Sequence, residues 1–125
     1  MDDVAAEMFD WLVTEYGFEA GGDPPDHGVF RRRYSAPKTI INVRVYLYKG
    51  CGAYIDLAPP GYERFDTLSL RLARRDLALP PSPHAFCERI RGCAHEHQVV
   101  LDALVPYAEA LRRLGPWELS GDWGY

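Results

Sequence analysis

Apolar side chains recur at intervals of three and four residues near the N-terminus and at every second residue in the middle of the chain. The first pattern predicts an amphipathic helix over residues 3–16, with acidic side chains on its outer side. Gly17 fits the position just past this helix, where a left-handed backbone is common. Glycines, prolines and acids crowd the segment that follows, so residues 19–28 are predicted to form a loop.

The alternating pattern predicts an antiparallel meander of three strands. Residues 29–35 and 39–48 form the first two strands, separated by a short Ala-Pro-Lys turn. A Gly-Cys-Gly turn at 50–52 leads into the third strand, residues 53–58. In the second strand, isoleucine, valine and leucine alternate with asparagine, arginine and tyrosine. One face of the meander is therefore expected to be buried, and the other to be polar and aromatic.

The second half of the chain is predicted to be mainly helical. Leucines in residues 65–79 fit either a fourth strand or a short helix, and a fourth strand passing into a turn is preferred. A Ser-Pro pair at 82–83 suits a helix start, and apolar residues then recur every three or four positions. A helical region is predicted over residues 83–114, which Gly92 and Pro106 should bend or divide.

These elements predict one α+β domain covering residues 1–125. Its antiparallel sheet of three to four strands would carry the N-terminal helix and the long, kinked or broken C-terminal helical region packed on it. The composition, 47% hydrophobic and 26% charged, is that of a folded domain rather than a disordered chain. Trp117 and Trp123, in the aromatic tail, are expected to pack against the body of the domain.

Membrane and secretion signals are not evident. No apolar run approaches the roughly 18 residues that a membrane span needs, and acids open the chain where a signal peptide has a basic region. We therefore expect no membrane association and a cytoplasmic location. The three cysteines, Cys51, Cys87 and Cys93, are sparse and odd in number, which suits a reducing compartment, so we predict free thiols.

Charge is distributed unevenly, because residues 1–30 contain eight acids and no Lys or Arg, whereas the whole chain has a net charge of −4. Two interpretations remain open. The N-terminal helix could turn a solvated acidic face outward, with its counter-charges on the neighbouring strand. Alternatively, the acids form an anionic docking surface for a basic partner, and the residues assigned to that surface are Asp10, Glu15, Asp23 and Asp26.

Potential metal ligands are concentrated in the segment HAFCERIRGCAHEH, where the candidate zinc ligands are His84, Cys87, Cys93 and His97. On one helix, only His84 with Cys87 and Cys93 with His97 share a face. Ordinary packing is therefore favoured, and no metal or cofactor is expected. No nucleophile elbow, phosphate-binding loop or zinc-protease motif occurs, so no enzymatic activity is predicted. A small enzyme or a ligand- or metal-binding domain using residues 84–97 is the alternative.

Arginine and tyrosine are concentrated on the predicted strands, at Arg31, Arg32, Arg33, Tyr34, Arg44, Tyr46, Tyr48 and Tyr54. Such a face is similar to those that stack single-stranded bases. A pI near 5.5 and the lack of RNA-recognition motifs argue against nucleic acid. A protein-contact or ion-pair face is favoured, and Tyr46 and Tyr48 are assigned to partner binding.

Four segments together span nearly the whole chain: EYGF at the end of the first helix, VRVYLYKGCGAYIDL, ERFDTLSL and the closing ALRRLGPWELSGDW. In this layout the chain resembles the small immunity proteins of bacterial polymorphic and contact-dependent toxin systems, particularly actinobacterial ones. The resemblance implies a non-catalytic protein that binds and neutralises one toxin domain, often through electrostatic complementarity. A basic toxin domain would fit the acidic N-terminal residues.

Overall fold

A five-stranded antiparallel sheet forms the centre of the domain in the computed structural model, which describes residues 4–22, 24 and 28–124. Each strand pairs with the next one along the chain. The strands are β1 (Glu19–Gly21), β2 (Val29–Ala36), β3 (Thr39–Tyr46), β4 (Gly52–Ala58) and β5 (Asp66–Thr67).

The helices pack together with the buried face of this sheet, which confirms the α+β class. Helix α5 contacts α1, α3, α4 and strand β4, while α1 also contacts β2 and β3. Wholly buried side chains from helices and strands, among them Phe9, Tyr34, Leu57 and Leu104, form the core. The helices are α1 (Val4–Phe9), α2 (Trp11–Tyr16), α3 (Leu68–Arg74), α4 (Ala85–Ile90) and α5 (His97–Arg112), followed by a 3₁₀ helix, Glu118–Ser120.

The predicted three-strand meander is present as β2, β3 and β4. Pro37 and Lys38 form the first turn, since Ala36 pairs with Thr39. Side chains of β3 alternate between buried and partly exposed along its whole length, so the sheet has two distinct faces. The inner sheet face is apolar and buried. We call the opposite side the outer sheet face; its residues include Arg31, Arg33, Asn42, Arg44, Tyr46, Tyr54 and Asp56.

The sheet has five strands where three to four were predicted. The strand preferred for residues 65–79 is mostly wrong, because only two of these residues form a strand and residues 68–74 form a helix. Residues 19–21 form β1 instead of a loop, because they pair with 33–35 of β2. Only two residues, Asp66 and Thr67, form β5. The Thr67 hydroxyl then accepts a hydrogen bond from the Leu70 N–H at 3.1 Å, and this N-cap begins α3 where a strand was preferred.

The two long helical predictions are each divided. Asp10 separates α1 from α2, and Gly17 ends α2 at φ 74°, as predicted. Residues 91–96 separate α4 from α5, with Gly92 at φ 76°, which confirms a break there. Pro106 does not divide α5, which runs through it. None of the helices in the described ranges is both long and apolar enough to span a bilayer.

The prediction of free thiols is wrong for two cysteines. Cys51, in the turn before β4, forms a disulfide with Cys87 of α4, and their Cα atoms are 5.8 Å apart. Cys93 remains a free thiol. Because 36 residues separate the bonded cysteines, their proximity arises only when α4 packs on β4. The number and spacing of cysteines carried no information about that contact.

The tail after α5 is anchored by a buried polar network, and Trp123 packs into the core as predicted. Its indole Nε1 donates to the Lys38 carbonyl at 2.9 Å. The guanidinium of Arg71 lies 4.8 Å from the centre of the Trp123 ring and donates to the carboxylate of Glu118. These contacts connect the tail to α3 and to the β2–β3 turn.

Candidate functional site

Arginine and tyrosine side chains dominate the outer sheet face. They stay partly or fully exposed, whereas their neighbours on the inner face are buried. Arg31 pairs with Arg44, and Arg44 pairs with Tyr54 across the three central strands. The neighbouring row pairs Arg33 with Asn42 and Asn42 with Asp56. The period-two alternation of the strands therefore brings these residues to one surface.

The arginines of this face are stacked on aromatic rings. The guanidinium carbon of Arg31 lies 5.9 Å from the centre of the Tyr46 ring, and that of Arg44 lies 5.2 Å from the Tyr54 ring. The two tyrosine rings meet edge to face, with centroids 5.9 Å apart. Each guanidinium therefore makes a cation–π contact with a tyrosine ring. The two tyrosine rings in turn pack against each other.

Polar contacts fix two of the arginines further. Arg44 Nη2 donates to Asp56 Oδ2 at 2.9 Å, and Arg33 Nε donates to Asn42 Oδ1 at 3.0 Å. The Arg33 guanidinium also lies 5.7 Å from the centre of the Phe65 ring. These side chains are held in defined positions before any partner binds.

An open depression of about 380 Å³ lies among these arginines. Its lining within the described residues contains no acidic side chain: it consists of Gly22, Arg31, Arg32, Arg33, Asn42, Val43 and Arg44. Of these, Arg32 directs its guanidinium to Asp10. The depression is therefore a concave, arginine-lined surface on the outer sheet face.

Of the two tyrosines assigned to partner binding, Tyr46 lies on the outer sheet face and Tyr48 lies just past the end of β3. Tyr48 is 59% exposed. A Cβ atom at Gly28 would come within 2.6 Å of its ring, so the ring lies directly over that glycine. Tyr48 is thus an exposed aromatic side chain beside the stacked face.

The acids assigned to an anionic surface are paired with cations of the same chain. Asp10 accepts hydrogen bonds from Arg32 Nε at 3.0 Å and from the Tyr34 hydroxyl at 2.6 Å. Glu15 accepts one from Arg112 Nη2 at 2.8 Å, and this hydrogen bond lowers the pKa of Glu15. Counter-charges therefore come from both β2 and α5. Asp23 and Asp26 lie outside the described residues.

The buried hydroxyl of Tyr34 is tied to the same pair. Burial, and then the hydrogen bond to Asp10, raise its pKa well above the usual range. The Tyr34 ring is wholly buried, and the Arg32 guanidinium lies 5.9 Å from its centre. Asp10 thus connects the α1–α2 junction to β2, which is a structural role that the sequence pattern did not reveal.

The four candidate metal ligands are not brought together. His84 Nδ1 lies 3.3 Å from the Cys51 carbonyl oxygen, and Cys87 is bonded to Cys51. His97 Nε2 lies 2.7 Å from Glu7 Oε1, while Cys93 hydrogen-bonds to Glu96, which raises its pKa. Among the described residues, no group of three or more His, Cys, Asp or Glu side chains is arranged to hold a metal ion.

The sequence indicated the arginines and tyrosines of the outer sheet face but missed three of their companions. Phe65 stacks on Arg33 from the loop before β5, and Gly22 borders the depression because β1 pairs with β2. Asp56 was visible only as a polar position in the alternating pattern of β4. Each of these contacts joins residues on different strands or loops, so spacing along the chain could not indicate them.

Comparison with protein-family models, curated proteins and solved structures finds no match for this chain.

Proposed function

We propose that this chain is a non-catalytic protein-binding domain whose partner docks on the outer sheet face. By its layout, we further propose an immunity role in which the partner is a toxin domain that the chain neutralises. The single observation that carries the proposal is the stack of Arg31, Tyr46, Tyr54 and Arg44 on an exposed sheet face. Arginine and tyrosine are the residue types enriched at the energetic centres of protein interfaces.

The fixed positions of these side chains favour binding. A flexible arginine loses conformational freedom when a partner immobilises it, and that loss weakens association. Here Arg44 is already held by Tyr54 and Asp56, and Arg33 by Asn42 and Phe65. A partner that contacts this face would therefore order fewer side chains than one that contacts a surface of free arginines.

The acidic side of α1 and α2 supports a docking surface less well. A basic partner would have to compete with Arg32 for Asp10 and with Arg112 for Glu15. Pairs within one chain form without the loss of translational freedom that association requires. We therefore propose the outer sheet face, with an acidic contact surface on the toxin domain, in place of the basic toxin expected from the acidic N-terminal residues.

The experiment compares partner capture by three tagged forms of the chain in lysate of its source cells, read by mass spectrometry. We expect one stoichiometric protein partner for the wild type, and its loss on combined Tyr46→Ala and Tyr48→Ala substitution. Tyr62→Ala is the matched control, because Tyr62 is 57% exposed, as Tyr48 is 59% exposed, but lies beside Pro37 and Asp122.

Two outcomes would contradict the proposal. The first is a folded wild-type protein that captures no stoichiometric partner. The second is a double variant that keeps its far-UV spectrum and captures the partner as well as the wild type does. A toxin role is tested by adding the purified chain to the captured partner in a growth-inhibition assay, where restored growth is expected.

A further inference from the structure

The depression between Arg31, Arg33 and Arg44 is an arginine-lined concave feature of the outer sheet face. We infer that it binds carboxylate groups from an acidic segment of a partner protein. This inference rests on the proposed function and adds the chemistry by which the partner is recognised.

Donor geometry supports a carboxylate ligand. A guanidinium is planar and has five N–H donors, which match the two oxygens of a carboxylate. Arg33 uses Nε for Asn42, and Arg44 uses Nη2 for Asp56. Each guanidinium is also in contact with an aromatic ring, so the remaining donors of Arg33 and Arg44 are held beside the depression that both side chains line.

A protein segment fits better than single-stranded nucleic acid. Bases bind such sheets by stacking on exposed aromatic faces. In this structure Arg31 lies over Tyr46, Arg44 lies over Tyr54, and the two rings meet edge to face. Carboxylates need only the guanidinium donors, which this stacking leaves at the surface.

The test is an NMR titration of the ¹⁵N-labelled full chain with an octaglutamate peptide at low and moderate salt. A thymidine octanucleotide is the second probe, and inorganic phosphate is the third. We expect the peptide to shift the amides of Gly22, of residues 31–33 and of residues 42–44, with weaker binding at the higher salt. We expect little response to the oligonucleotide at equal concentration.

The variant that tests the site carries Arg31→Gln, Arg33→Gln and Arg44→Gln. Peptide affinity should fall about tenfold or more, because several charge-assisted hydrogen bonds are lost. The matched control carries Arg74→Gln, Arg89→Gln and Arg91→Gln, which removes the same charge from exposed positions on or beside α3 and α4. The control should bind the peptide nearly as well as the wild type does.

Four outcomes would overturn the inference: no peptide binding by the wild type, an equal loss in the control variant, shifts that map elsewhere, or tighter binding of the oligonucleotide. The last would assign the face to nucleic acid. The proposed function would be overturned by a different result, partner capture by the tyrosine variant at the wild-type level. If the arginine variant captures the stoichiometric partner and the tyrosine variant does not, the binding face stands and only the carboxylate inference fails.

Discussion

The guanidinium of Arg71 donates through Nε to a carboxylate oxygen of Glu118 at 2.6 Å, with both side chains buried. Arg75 donates to the other carboxylate oxygen at 3.1 Å. Arg71 also donates to the Trp123 carbonyl at 3.1 Å. Glu118 is thus compensated by two cations, which is the condition under which a buried carboxylate can remain charged.

Breaking this buried pair should strongly destabilise the fold. Glu118→Gln leaves the buried Arg71 with only the partly exposed Asp66, at 3.4 Å, as a counter-charge, so the free energy of unfolding should fall by up to about 3–5 kcal/mol. Urea unfolding followed by tryptophan fluorescence measures the change. Glu88→Gln is the control, because Glu88 is 75% exposed and 3.9 Å from Arg91. An equal effect of the two substitutions would argue against a dominant role for burial.

The disulfide should contribute measurably to stability under oxidising conditions. It closes a segment with a sequence separation of 36 residues, which by chain entropy corresponds to about 4 kcal/mol. We expect combined Cys51→Ser and Cys87→Ser substitution to lower the unfolding free energy by up to that amount. Reducing agent should destabilise the wild type similarly, leave the double variant unchanged and affect Cys93→Ser as it affects the wild type. Identical wild-type curves with and without reductant would contradict this.

Alkaline pH should destabilise the domain through Tyr34. Its pKa in the folded protein is raised from the usual 10.0, so the unfolded chain releases the proton first. The stabilisation is therefore complete below pH 10 and declines as the pH rises above it, by at most about 1.4 kcal/mol per pH unit for one proton.

The measurement is urea unfolding at pH 8 and pH 11 for the wild type and Tyr34→Phe. Tyr34→Phe should lose less stability over this interval, although it starts lower because Asp10 loses a hydrogen bond of 2.6 Å. If the two proteins lose the same stability, ionisation of Tyr34 does not drive the alkaline transition.

Gly52 should be needed for the aromatic stack. A Cβ atom there would come within 2.7–2.9 Å of the Tyr54 ring, so Gly52→Ala must displace that ring and with it the contact to Arg44. We expect weaker capture of the partner and an altered near-UV spectrum. Gly21→Ala is the control on the same sheet, because its nearest atom is a carbonyl oxygen at 4.0 Å. A folded Gly52→Ala protein with unchanged partner affinity would remove Tyr54 from the binding face.

The meander was predictable because the period-two alternation of β3 has a direct physical cause in the two faces of the sheet. Strand β1 was not, because its three residues are all exposed and show no apolar pattern. Its pairing depends on the backbone of β2. For α3, the N-cap hydrogen bond of Thr67 outweighs an alternation of leucines that fitted a strand equally well.

The site was predicted in part, for related reasons. Of the arginines and tyrosines that the sequence assigned to one face, Arg31, Arg44, Tyr46 and Tyr54 lie on the outer sheet face. The assignment is wrong for Arg32 and the buried Tyr34, which lie on the opposite side of β2 and contact Asp10. The pairing of the acidic residues with cations of the same chain was less predictable, since Glu15 pairs with Arg112 at a separation of 97 residues. Likewise, arginine and glutamate are almost always exposed unless paired, so the burial of Arg71 and Glu118 could not be anticipated without their contact.

The buried network around Arg71 can be completed only late in synthesis, because two of its members lie near the C-terminal end of the chain. Glu118 and Trp123 are made 47 and 52 residues after Arg71, an interval of about 2–10 s at ribosomal rates of 5–20 residues per second. The strands β2 to β4 pair with their chain neighbours and are complete earlier. The residues of the meander are therefore already synthesised while Arg71 has only Asp66 as a counter-charge, and Glu118 and Trp123, which complete the network around α3, follow afterwards.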